Sequence, residues 1–111
     1  MILAPIPERG NRVLLAEDER HIAKLLRTRF TRLGYEITCA YDGREAIHLL
    51  QTQPFDQAIL DPTMPNVDGY EVLKWIRTHE ATEHMWVGMM TSQAEAMEHD
   101  YYNQYRADAY L

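Results

Sequence analysis

The sequence predicts an α/β protein, a parallel sheet with helices on both faces. Three observations carry this. Short apolar runs alternate with amphipathic helical stretches four times along 111 residues. The runs are continuously apolar, as in Val13-Leu14-Leu15-Ala16, which suits strands covered on both sides. Two of them end abruptly on acid: Ala16 runs into Glu17-Asp18-Glu19, and Ile59-Leu60 into Asp61. In open parallel sheets, ligands bind beyond the carboxyl ends of the strands.

Each element has a local reason. Residues 1–11 carry two prolines and no period and read as an N-terminal tail; residues 12–111 form the domain. After the first strand, a helix is expected from Arg20 to Leu33. Ile22, Leu25, Leu26, Phe30 and Leu33 fall at helical spacing, and Gly34 ends it. Tyr35 to Ala40 is a second strand. Asp42-Gly43 turns into a short helix with Ala46, Ile47 and Leu50 inward, and Pro54 breaks it. Ala58 to Asp61 is the third strand. Asp68-Gly69 leads into a helix with Val72, Leu73 and Ile76 inward, ending near Arg77. Met85 to Met90 is the fourth strand. Ala94 to Tyr105 is expected to be helical, although Tyr102-Asn103 are poor helix formers. Asp108 to Leu111 begins a fifth strand.

Composition narrows the function. Eleven basic and 17 acidic side chains give a formal net charge of −6, which disfavours direct binding to nucleic acid or an anionic membrane. The single cysteine, Cys39, excludes an internal disulfide framework and a multi-cysteine zinc site. No apolar run is long enough for a membrane span, and the proline-broken start lacks the form of a secretion signal, so a cytoplasmic protein is expected. His79 and His84 resemble a zinc-protease pair. Their five-residue separation sets the rings about 140° apart on a helix, so a polar loop is the better reading. No GxGxxG or P-loop stands among the five glycines.

The acids at the strand ends carry the chemistry. If the first and third strands are neighbours, their ends lie about 5 Å apart. Glu17, Asp18 and Asp61 then crowd one pocket, and their repulsion calls for a divalent cation. Carboxylate oxygens, a backbone carbonyl and retained waters suit Mg²⁺. A carboxylate there can act as a nucleophile toward phosphorus. Thr91, at the next strand end, can offer a hydroxyl to a phosphoryl oxygen.

These residues, in this order, resemble the receiver domain of two-component response regulators. The resemblance runs from Arg12 to Leu111. It rests on Val13-Leu-Leu-Ala-Glu-Asp-Glu19, Tyr41-Asp-Gly-Arg-Glu-Ala46, Leu60-Asp-Pro-Thr-Met-Pro65 with Asp68-Gly69, Thr91-Ser92, and Ala107-Asp-Ala-Tyr-Leu111. It implies a flavodoxin-like, doubly wound parallel sheet of strand order 2-1-3-4-5. It also implies that Asp61 is the phosphoacceptor for a phosphohistidine on a histidine kinase or histidine phosphotransfer protein. Asp18, Asp61 and the Thr63 backbone carbonyl would ligate Mg²⁺, with Glu17 completing the acidic set. Thr91 and Tyr110 would be the switch pair. The domain would change its own phosphorylation state and would not be an enzyme on a separate substrate.

The sequence departs from the family pattern in three places. Pro62 follows the acceptor, where a large apolar residue is usual. Arg106 stands where a helix-ending glycine is usual. The family's lysine, three residues past the switch aromatic, falls beyond Leu111, as does the last helix. The expectation is a piece of a longer protein, with an effector domain in the parent, or a homodimer that covers the open sheet. Two alternatives remain: a pseudo-receiver acting by contact alone, and an aspartyl-phosphate phosphatase. The latter needs a second acid two residues past the nucleophile, where Thr63 stands.

Overall fold

The computed structural model describes residues 10–111; residues 1–9, most of the expected tail, lie outside the described residues. Among the described residues five strands and four helices alternate: β1 (Arg12–Ala16), α1 (Arg20–Arg32), β2 (Glu36–Ala40), α2 (Gly43–Thr52), β3 (Gln57–Leu60), α3 (Gly69–Arg77), β4 (Trp86–Met89), α4 (Gln93–Ala96) and β5 (Ala109–Tyr110). All neighbouring strands pair in parallel, in the order β2-β1-β3-β4-β5. This is the flavodoxin-like arrangement with the winding reversed between β1 and β3. No helix follows β5 among the described residues.

Period-2 alternation divides the strand residues between two cores. Leu14, Ala16, Ala58, Leu60, Val87 and Met89 face Ala46 and Leu50 of α2 and Val72, Leu73 and Ile76 of α3. Val13, Leu15, Ile37 and Ile59 face Phe30 of α1 and Tyr35, with Leu26, Trp86, Met90 and Leu111 at the margin. The central strands β1 and β3 have no exposed residue after Arg12.

The caps follow the sequence signals. Asp42 accepts from the Glu45 N–H at the start of α2, and Asp68 from the Glu71 N–H at the start of α3. Gly34, at φ 96°, turns the chain out of α1. Gly10 and Asn11 belong to the fold: the Gly10 carbonyl accepts from the buried Gln57 amide at 2.9 Å, and the Asn11 carbonyl from the Glu36 N–H at 2.7 Å.

Two expectations are corrected. In α1 only Ala23 and Phe30 are buried, and Ile22, Leu25 and Leu33 are exposed. At about 100° per residue, Leu25 lies about 160° around the helix from Ala23, so one packed stripe cannot hold both. Helix α4 is a single turn, and residues 97–105 continue as successive turns in place of the expected helix to Tyr105. Bonds from Glu98 to Glu95, His99 to Ala96 and Tyr102 to His99 close i to i+3, the tighter pattern of poor helix formers. Arg106 needs no left-handed backbone, since Asn66 is the one non-glycine residue with positive φ among the described residues. Its guanidinium lies over the Tyr102 ring and donates to the Tyr102 carbonyl.

His79 and His84 sit in the polar turn after α3, and His79 stacks on Trp75 at 3.8 Å. Its Nδ1 lies 2.6 Å from the Trp75 carbonyl. No helix among the described residues is long and apolar enough to cross a membrane.

Candidate functional site

Strand register builds the site. Ala16 of β1 pairs with Leu60 of β3, and Leu60 with Met89 of β4. The next residue of β1 is Glu17 and the next of β3 is Asp61, so two acids leave adjacent strands at the same level. Backbone bonds hold them there: the Asp61 N–H donates to the Ala16 carbonyl at 2.8 Å, and the Glu17 N–H to the Ala40 carbonyl at 2.9 Å. Asp18 follows on the loop into α1. Oxygen atoms of Glu17, Asp18 and Asp61 all lie within 4.8 Å of one another.

The electrostatics of this trio are those of carboxylates short of a counter-charge. Glu17 is 6% exposed, and its carboxyl is pushed up to about 7. Burial is the first cause, followed by the hydrogen bond that the protonated Glu17 carboxyl donates to Asp61; the Glu19 N–H opposes both at 3.1 Å. Burial also raises the Asp61 carboxyl, against a 3.0 Å hydrogen bond from the Thr63 N–H to Oδ1. An all-oxygen set of this kind fits a hard divalent ion. The fit is chemical and does not depend on the family resemblance.

The loop after Asp61 is tightly drawn. The Pro62 carbonyl accepts from the Gly69 N–H at 3.1 Å. Gly69 is required here: a Cβ would fall 2.1 Å from the Asp61 carbonyl oxygen. Asn66, at φ 68°, and the Val67 N–H bond to Pro65 turn the chain back toward α3. Pro62 fits with a trans peptide, since no cis bond occurs among the described residues. The local N–H that reaches Asp61 belongs to Thr63, so proline at position 62 leaves that bond intact.

Thr91 lies two residues past β4 and is 7% exposed. Its hydroxyl donates to Glu95 Oε2 at 2.7 Å. It borders an open cleft of about 500 Å³ lined by Pro62, Thr63, Tyr70, Thr91, Glu95, Glu98 and His99. Tyr70 stacks on His99, with ring centroids 3.8 Å apart. Burial, and then the nearby Tyr110, raise the Tyr70 phenol. Tyr110 is half-buried, 5.9 Å from the Tyr102 ring, and its hydroxyl accepts from the Ala107 N–H at 3.1 Å.

The structure therefore brings Glu17, Asp18 and Asp61 together, sets Thr63 on the same loop and places Thr91 on the adjoining cleft. Tyr110 lies one step out, beside Tyr70. Sequence reasoning missed Tyr70, Glu95 and His99. The spacing Ser92-x-x-Glu95 is a capping-box signature and could have marked Glu95.

A flavodoxin-like sheet with an acidic trio at the ends of β1 and β3 defines a class, and comparison with known proteins agrees. The structure is similar to the chemotaxis response regulator CheY4 of Vibrio cholerae, with TM-score 0.82 and 28% identity, covering 91% of this chain and 84% of that one. It is also similar to the response regulator TrrA of Thermotoga maritima, a structure in complex with Mg(2+)-BeF. There the TM-score is 0.79 with 29% identity, over 91% and 84% of the two chains. In sequence it is 39% identical over 85 residues to the regulatory protein AtoC of Escherichia coli K12, covering 77% of this chain and 18% of AtoC. The chain thus spans less than a fifth of that relative's length. The sequence model of the response regulator receiver domain matches residues 13–111, and this chain belongs to that family.

Proposed function

We propose that this receiver domain is a phosphoacceptor switch in which Asp61 takes a phosphoryl group from a phosphohistidine. The observation that carries the reading is the convergence of Glu17, Asp18 and Asp61 within 4.8 Å at the ends of β1 and β3. A carboxylate oxygen of Asp61 attacks phosphorus, and the phosphorus–nitrogen bond breaks. Its electron pair leaves on the imidazole nitrogen, and the phosphoryl group becomes an acyl phosphate. Asp18, Asp61 and the Thr63 carbonyl would hold Mg²⁺, with Glu17 completing the acidic set. When bound, Mg²⁺ would offset the charge of the phosphoryl oxygens.

The chain's own groups do the rest. The Thr63 N–H fixes the Asp61 carboxylate through Oδ1. The Thr91 hydroxyl, on the cleft beside Thr63, would meet a phosphoryl oxygen from the cleft side. Tyr70 and Tyr110 stand beside it to carry a change outward. Thr63, at the position where aspartyl-phosphate phosphatases place a second acid, argues against turnover of a separate substrate. The domain acts on its own side chain.

The donor would be a histidine kinase or a histidine phosphotransfer protein in the cytoplasm, and the output a change of protein contacts. These would include a second copy of the chain or an effector domain in the parent protein. Acetyl phosphate with Mg²⁺ tests the reading. The wild type should take up one phosphoryl group and Asp61→Asn none. Uptake by Asp61→Asn would refute it. No uptake by the wild type, from acetyl phosphate or from a phosphorylated kinase, would favour a pseudo-receiver that works by contact alone.

A further inference from the structure

We infer that Glu95 is a latch on Thr91, a positioning residue that holds the switch hydroxyl out of the phosphoryl site until phosphate displaces it; this rests on the phosphoacceptor reading above. Thr91 has one hydroxyl hydrogen, and it is committed to Glu95 Oε2 at 2.7 Å. A phosphoryl oxygen on Asp61 would need the same hydrogen. The two acceptors exclude each other, so phosphorylation must break the Thr91–Glu95 bond before Thr91 can engage.

Local geometry makes Glu95 a defined competitor. Ser92 caps α4, and its Oγ accepts from the Glu95 N–H at 3.1 Å, which fixes the Glu95 backbone one turn beyond Thr91. In a capping box the glutamate at this position reaches back to the backbone N–H of the cap. Here its carboxylate is turned to Thr91 instead. Ser92 therefore offers a second place for the same carboxylate once Thr91 leaves it. The element has two arrangements: Glu95 on Thr91, or Glu95 on the cap with Thr91 free. Glu95 itself is solvent-exposed while Thr91 is buried, so the carboxylate can leave without stranding a charge. The same cleft lining holds Glu95, Thr63 and Thr91, which puts the latch on the route between acceptor and outer aromatics.

Beryllofluoride with Mg²⁺, titrated as a stand-in for the phosphoryl group, tests this in wild type, Glu95→Ala, Glu95→Gln, Thr91→Val and the double variant Thr91→Val/Glu95→Ala. Trp75 and Trp86 fluorescence and amide NMR shifts of residues 91–95 give the readouts. Glu95→Ala should tighten apparent affinity about threefold to tenfold, the worth of one hydrogen bond to a charged, partly solvated acceptor. Glu95→Gln should fall between, because an amide oxygen still accepts but carries no charge. In the Thr91→Val background, removing Glu95 should change affinity less than twofold. A gain of equal size in that background would mean simple charge repulsion and would overturn the latch. So would unchanged affinity in both single Glu95 variants. Failure of every protein, wild type included, to bind beryllofluoride would overturn the phosphoacceptor reading and the latch with it.

Discussion

Metal-free, this domain should lose stability as pH rises from 5 to 8, opposite to the usual behaviour of a paired carboxylate. The cause is Glu17, whose carboxyl titrates at about 7 in the folded protein against an ordinary 4.5. Below 4.5 the group is protonated in both states and has no effect. Between 4.5 and 7 the folded state holds the extra proton, so stability falls as pH rises; above 7 the full penalty is present. A displacement from 4.5 to about 7 corresponds to at most about 3 kcal/mol, and screening by water in an open pocket reduces this to about 1–2 kcal/mol. Asp61 is raised by burial as well and acts with the same sign. Asp56, held low by hydrogen bonds from Arg12, loses its contribution only in acid, outside this window. The assay is urea unfolding in a chelator at several pH values, followed by tryptophan fluorescence. Glu17→Gln should flatten the profile, and Mg²⁺ should restore stability above pH 7 by binding the folded state alone. Stability that is level or rising from pH 5 to 8, or a profile unchanged in Glu17→Gln, would refute the reasoning.

Other substitutions probe the frame around the site. Gly69→Ala forces a Cβ against the Asp61 carbonyl. It should cost about 1–3 kcal/mol in urea unfolding, as overpacking does, and weaken Mg²⁺ binding measured by fluorescence. Arg77 donates to the carbonyls of Glu83, Met85 and Arg106 and to Asp108 Oδ2, which itself accepts from the Val87 N–H. Arg77→Ala should therefore destabilise by about 2–3 kcal/mol and speed hydrogen exchange at the β4–β5 edge, since several acceptors lose their partner together. Asp42→Ala removes the cap of α2 and should cost about 1 kcal/mol in thermal unfolding, with Mg²⁺ affinity unchanged.

Much of the fold was legible because local signals agreed with one another. The apolar runs of β1 and β3 could only be central strands, and Asp42 and Asp68 announced the helices they cap. The acidic trio was legible because each acid closes an apolar strand, and parallel register then forces the ends together. What escaped was set by tertiary context. Ile22 and Leu25 fit the helical period of α1, yet the buried contact narrows to Ala23 and Phe30. The short α4 came from residues 97–105 settling into turns tied to aromatic contacts, such as Tyr101 on Glu71 and His99 on Tyr70. Tyr70 carries no motif of its own; only the placement of α3 brings it to Thr91. Glu95 lay in plain view as the fourth residue of a capping box, but which partner its carboxylate takes is a choice between two nearby donors that spacing cannot make.

The central claim is that Asp61 becomes an acyl phosphate, and chemical trapping addresses it most directly. After incubation with acetyl phosphate and Mg²⁺, borohydride reduces an aspartyl phosphate to homoserine, and peptide mass spectrometry locates the converted residue. The account predicts conversion at Asp61 alone, dependent on Mg²⁺. Conversion at Asp18 or another residue, with Asp61 untouched, would contradict it.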